Sequence, residues 1–254
     1  MCLILFAWQA HPRYELLLAA NRDEFHARPT APAAFWPEQP DILAGRDLEA
    51  GGTWLGVTRD GRFAALTNYR ESGRTGRSAP RSRGLLVNDW LVGAGAPLEA
   101  ARRLATDGDA YGGYNLLLGR PGELAYLSNR GAGPRAVAAG VHGLSNHLLD
   151  TAWPKVRAGR ERLQALLASA HVDTERLFDL LADAAPTEGT LPDGVAARLA
   201  PENLARQLFI RSPVYGTRCS TVLLIERSGR VQFEERRFDA DARPAGTTRH
   251  AFPA

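Results

Sequence analysis

A chain of 254 residues is long enough to bury a full hydrophobic core, and 44% hydrophobic with 23% charged residues is an ordinary globular balance. The net charge of +3 is carried almost wholly by arginine, with Lys155 the sole lysine, which points to coding-sequence bias rather than a nucleic-acid partner. No apolar run approaches the ~18 residues of a membrane span, Met1–Trp8 lacks the basic start of a secretory signal, and two cysteines exclude a disulfide framework. The expected compartment is the reducing cytoplasm.

Cys2–Trp8 is a continuous apolar run, expected as a strand buried on both faces. After a turn at His11-Pro12-Arg13, Tyr14–Ala20 returns beside it. Gly52–Thr58 and Arg62–Thr67 form a second hairpin on the Asp60-Gly61 turn. Gly84–Leu91 and Leu98–Ala105 carry helical apolar spacing, and Pro97 opens the second helix. Strands are expected again at Tyr114–Leu118, Leu124–Ser128 and Val141–Leu144, the first two turning at Pro121-Gly122. Helices follow at Trp153–Leu167 and Thr174–Ala184, then a hairpin of Thr217–Ile225 and Val231–Phe238 turning at Ser228-Gly229. Hairpins alternating with helix pairs predict an α+β fold of antiparallel sheets covered by helices. With neither an internal repeat nor a clear linker, residues 1–254 are expected to form one domain.

The sharpest chemical signal is Cys2. Removal of the initiator Met would leave a thiol and an α-amine on one residue, and an α-amine titrates near neutrality, at roughly 7.7–8.0. Nucleophile and general base then coincide. The plain alternative is a small hydrophobe opening a strand. Polar groups gather at strand ends: Asn21-Arg22-Asp23-Glu24, Thr67-Asn68, Ser145-Asn146 and Arg218. Together they offer the orienter and oxyanion donors that acyl transfer needs, although each alone reads as a cap or turn residue. Five arginines between Tyr69 and Arg83 suit either a phosphate or carboxylate site or a solvated loop. No Cys/His spacing matches a zinc site, no glycine-rich stretch continues into a P-loop, and His142 and His147 read as hydrogen-bonded structural residues.

Several segments together resemble the NRDE family, which includes the animal transport and Golgi organisation protein 2 homologues. They are Met1-Cys-Leu-Ile-Leu, Leu18-Ala-Ala-Asn-Arg-Asp-Glu-Phe25, Arg28-Pro29, Gly51-Gly-Thr-Trp-Leu-Gly56, Ala65-Leu-Thr-Asn-Tyr69, Tyr114-Asn115, Gly143-Leu-Ser-Asn146, Trp153-Pro-Lys155 and Tyr215-Gly-Thr-Arg218. The resemblance implies a four-layer αββα sandwich of the N-terminal-nucleophile hydrolase type. A more distant likeness to penicillin V acylases and bile salt hydrolases implies the catalytic set Cys2, Asp23, Asn68, Asn146 and Arg218. Cys2 would attack, Asp23 would orient the α-amine, the Asn68 main-chain N–H and Asn146 amide would hold the oxyanion, and Arg218 would sit near the sulfur. Asn21, Arg22, Trp54 and Tyr69 are expected to bind substrate. In those acylases the first arginine lies three residues before the aspartate, whereas Arg22 and Asp23 are adjacent and in an extended strand face opposite ways, so either the chain turns at this motif or Arg22 points away from Cys2. By the same alternation, Cys219 should face away from Arg218 and no disulfide should join it to Cys2.

Two functional readings follow. One is an N-terminal cysteine hydrolase or acyltransferase acting on a linear amide or thioester, with no cofactor. The other is a carrier or chaperone for haem or an acyl-CoA-like lipid, which the resemblance implies although no haem-attachment motif or axial histidine stands out. A glutamine amidotransferase would also begin at Cys2, but its Cys-Gly-Ile opening is absent.

Overall fold

The computed structural model describes residues 2–70, 80–169, 172–189 and 206–254. Met1, and Arg74 and Arg77 of the arginine cluster, lie outside them. In chain order the first half holds β1 (Leu3–Trp8), β2 (Tyr14–Phe25), β3 (Thr30–Trp36), β4 (Gln39–Asp47), β5 (Leu55–Thr58), β6 (Phe63–Asn68), α1 (Gly84–Val92) and α2 (Pro97–Thr106). The second holds β7 (Tyr114–Arg120), β8 (Glu123–Ser128), β9 (Arg135–Ala136), β10 (Gly140–Leu144), α3 (Pro154–Leu167), α4 (Thr174–Leu181), β11 (Tyr215–Glu226), β12 (Arg230–Phe238) and β13 (Pro244–Pro253).

Side-chain alternation along the first two strands generates the layers. Ile4, Phe6 and Trp8 of β1, with Leu16, Leu18 and Ala20 of β2, enter a core shared with Leu43, Phe63 and Leu117. Their neighbours Leu3, Leu5, Leu17 and Ala19 enter a second core with Trp153, Val156, Leu163 and Leu177. A third core joins Ala64, Leu116 and Leu118 to Leu86, Trp90 and Ala101. The result is helices, sheet, sheet, helices. One sheet runs β10-β1-β2-β11-β12-β13 and the other β3 through β9 in sequence order, with antiparallel pairing throughout. This is the α+β arrangement expected. No helix among the described residues is long and apolar enough to cross a membrane.

Three differences bear on the site. β2 does not end at Ala20 but continues to Phe25, because it pairs on both sides: Leu3 faces Asn21, and Thr217 faces Asp23. The Asn21–Glu24 motif is therefore strand, not the turn after one. β5 starts at Leu55 rather than Gly52, since Gly51 (φ +75°) bends the chain and Gly52 then runs under the start of α1. A Cβ on Gly52 would lie 2.5 Å from the Gly84 carbonyl carbon. Gly52→Ala is accordingly expected to lower stability by about 1–3 kcal/mol, read as a denaturant midpoint, because backbone must move to admit the methyl. An unchanged midpoint would show that this close approach is slack. The third difference is a set of unforeseen strands, β3, β4, β9 and β13, of which β3, β9 and β13 lie at sheet edges.

Candidate active site

Cys2 precedes β1 on the face of Ile4, and so looks into the space between the sheets. There it meets a pocket of about 840 Å³ lined by Cys2, Arg22, Asp23, Trp54, Asn68 and Tyr69, among others. The residue is half-buried. Burial raises its thiol above the ordinary cysteine range; Asp23 pushes the same way, while the amino terminus and Arg22 oppose.

Asp23 is 3% exposed and turns its carboxyl towards the helical layer. Thr217 Oγ1 donates to its Oδ1 at 2.7 Å, and Tyr215 donates to its main-chain carbonyl at 2.8 Å. Thr217 is fixed in turn by accepting from the Ile210 N–H at 2.9 Å. Burial raises the Asp23 carboxyl, against the amino terminus, Lys155, the Thr217 hydroxyl and Arg22. By strand alternation Cys2 follows the Ile4 face and Asp23 the Leu3 face. The Cys2 thiol donates to the Asp23 carbonyl at 4.0 Å.

The chain does not turn at this motif, and Arg22 takes the face opposite Asp23. Contrary to the expectation that it would point away from Cys2, this brings it to the pocket that Cys2 lines, because the register of β1 on β2 puts Arg22 on that face. Its guanidinium lies 4.2 Å from the centre of the Trp54 ring, donates to Thr30 Oγ1 at 3.2 Å and stands 3.9 Å from Asp47. Arg28 grips the same Asp47 carboxylate at 2.7 Å. A 6%-exposed guanidinium stacked on indole is worth up to about 2 kcal/mol.

Across the pocket, hydrogen bonds join the end of β6 to the residues that follow β10. Tyr69 N–H donates to Gly113, so in the antiparallel ladder Asn68 presents its own N–H and C=O to the opposite edge, away from β7. Asn146 Nδ2 donates to that Asn68 carbonyl at 2.8 Å. Ser145 Oγ donates to the Cys2 carbonyl at 2.8 Å and lies 3.3 Å from Asn146 Oδ1. Asn146, 3% exposed, therefore braces the Asn68 peptide across the gap between the sheets. Behind it, Thr67 and Asn115 bind the Ser145 carbonyl, and Tyr126 donates to Asn115. Tyr69 pairs with His147 at 2.9 Å, and His142 with Asp150 at 2.8 Å.

Two expected site residues lie elsewhere. Asn21 shares the helical face of Asp23: its amide donates to Leu181 and Leu208 carbonyls at 2.9 and 2.8 Å and accepts from Ser220 Oγ at 2.6 Å. It ties the sheet to the helical layer instead of meeting a ligand in the main pocket. Arg218 falls in a bulge between Thr217 and Cys219, which breaks simple alternation. Its guanidinium donates to the carbonyls of Phe25, His26 and Arg28 at 2.9–3.2 Å. It lines a neighbouring pocket of about 240 Å³ together with Cys219, Glu235 and Arg22. Of the two arginines, Arg22 is the one whose charge opposes the rise of the Cys2 thiol. The thiols of Cys2 and Cys219 are both free.

The family model described as Transport and Golgi organisation 2 matches residues 1–240. The chain belongs to that family. It is 38% identical to the Bos taurus Transport and Golgi organization protein 2 homolog, covering 99% of each chain. Identity to the Homo sapiens homolog is 35%, over 93% of this chain and 92% of that one. The Drosophila melanogaster protein is 30% identical over 92% and 91%. Among solved structures, a Caenorhabditis elegans N-acylethanolamine-hydrolyzing acid amidase ortholog superposes with a TM-score of 0.52 at 13% identity, over 88% of this chain and 92% of that one. The fold of this Transport and Golgi organisation 2 family member is thus that of an N-terminal-nucleophile hydrolase.

Within this member of the family, sequence reasoning overlooked Thr217, Asp47 and Lys155. Thr217 stands inside the Tyr215–Arg218 motif and Lys155 ends the Trp153–Lys155 motif. Lys155 carried a usable signal, being the one lysine in a chain that otherwise employs arginine. Among the described residues, no cluster of three or more His, Cys, Asp or Glu is arranged to hold a metal ion.

Proposed function

We propose that the protein is an N-terminal cysteine acyl-transfer enzyme acting on a linear amide or thioester. The observation that carries this reading is that Cys2 and Asn68, from different sheets, line one 840 Å³ pocket. After Met1 is removed, the Cys2 α-amine takes the thiol proton and the sulfur attacks the acyl carbon. Asp23, anchored by Thr217, orients that amine. The Asn68 N–H receives the developing oxyanion while Asn146 holds its peptide in place. Collapse breaks the C–N or C–S bond, the ammonium returns its proton to the leaving group, and water releases the acyl group from sulfur. Arg22, Trp54 and Tyr69 contact the substrate. This reading treats residues 1–254 as one domain, because the site draws on both sheets.

The structural neighbour hydrolyses N-acylethanolamines, which are linear amides, and this supports the substrate class. A second reading, a carrier for haem or an acyl-CoA-like lipid, is favoured by the raised thiol and by a pocket mouth bearing Arg28, Arg81 and Arg83. Intact mass spectrometry against a panel of fatty amides and thioesters separates the two. Protein beginning at Cys2 is expected to gain one acyl mass or turn the substrate over, and Cys2→Ala should lose at least about 10³-fold of that rate. Stoichiometric retention of unmodified ligand by wild type and Cys2→Ala alike would establish the carrier instead.

A further inference from the structure

Lys155 is completely buried, in the first turn of α3, directly after the buried Trp153 and Pro154. Its Nζ has no hydrogen-bond partner among the described residues. A lysine so placed is expensive unless another charge compensates it. α3 covers the sheet face formed by Leu3, Leu5, Leu17 and Ala19, which is the face to which Asp23 turns its carboxyl.

We propose that Lys155 is the buried counter-ion of the Cys2–Asp23 site, a positioning residue that keeps the site electrically balanced when Cys2 gives up its proton. The proposal rests on Cys2 being the nucleophile and identifies what holds its charge. Other charged groups near α3 have partners of their own: His142 and Arg160 bind Asp150, Arg157 binds the Glu188 carbonyl, and Arg162 binds Asp183. Arg22 lies on the other face of β2, against Trp54. The charges acting on Lys155 are those of Asp23 and Cys2; burial lowers its ammonium from the ordinary lysine value and both partners oppose that.

The charge count explains the role. In the reactive state the thiol and α-amine share one proton and sum to zero, and Arg22 is offset by Asp47 on the other face of β2, so an ionised Asp23 leaves its own face at −1 unless Lys155 supplies +1. Removing that cation makes the thiol–amine pair hold its first proton harder, whichever of the two atoms releases it.

The test is the pH dependence of Cys2 alkylation by iodoacetamide, followed by peptide mass on protein beginning at Cys2. Lys155→Met is expected to raise the apparent midpoint by about one pH unit or more, as loss of a nearby cation does. The double variant Asp23→Asn/Lys155→Met, with both charges gone, should return towards wild type. A purely structural lysine would lower the melting temperature and leave the midpoint where it was, and that result overturns the proposal, as does a double variant displaced as far as Lys155→Met alone. Should Lys155→Met not fold, the same comparison is made in the Asp23→Asn background, where losing Lys155 must still raise the midpoint. Alkylation requires no acyl substrate. A shifted midpoint without acyl transfer would thus sink the enzyme reading and spare this one, and acyl transfer with an unshifted midpoint would do the reverse.

Discussion

Asp23→Asn is expected to slow acylation of Cys2 by about 10²–10⁴-fold, the range general acid–base chemistry commonly contributes. The substitution is isosteric, and Thr217 Oγ1 can still donate to the remaining side-chain oxygen, so the strand end keeps its shape. What disappears is the negative charge that, in the proposed mechanism, orients the α-amine and favours its protonated form as the thiol proton arrives. Asparagine can present an amide nitrogen to that amine, turning an attraction into a donor–donor clash. Single-turnover acylation followed by intact mass measures the effect. A rate within a few-fold of wild type would remove Asp23 from the mechanism.

Asn21→Ala should have the largest effect on stability. The side chain is 1% exposed and makes three hydrogen bonds, to Leu181, Leu208 and Ser220. Truncation leaves two carbonyls and a hydroxyl without their partner in a dry place, a loss of roughly 3 kcal/mol or more. In a chain of this length that lowers the melting temperature by about 6–12 °C. Asn21→Asp should be no better, since a carboxylate cannot donate to the two carbonyls. An unchanged melting temperature with weakened ligand binding would return Asn21 to the substrate-binding role that its motif suggested.

The layers were legible where hydrophobic pattern is strong. Cys2–Trp8, Tyr14–Ala20 and Thr217–Ile225 are buried strands, and their shortness and bounding turn residues favour strand over helix for such runs. β3 and β13 were hidden because edge strands need little apolar content: β3 contains Pro32 and β13 is polar and largely exposed. Alternation correctly separated Arg22 from Asp23, but it could not say which of the two accompanies Cys2, since that depends on the register of β1 against β2. Arg218 misled for a related reason. A bulge of one residue shifts every face assignment beyond it, and the bulge follows from pairing between β2 and β11, which are distant in sequence. The bracing of Asn68 by Asn146 depends on the spacing between two sheets and so was invisible in either segment alone.

The burial of Lys155 has a practical side. The polypeptide possesses two primary amines, the α-amine and one ε-amine, and the second is sealed beneath α3. Water-soluble acylating reagents such as succinimidyl esters will therefore find a single address on the folded protein, its first residue. Unfolding exposes a second, so the step from one label to two reports opening of the helical layer over the sheet that carries Cys2.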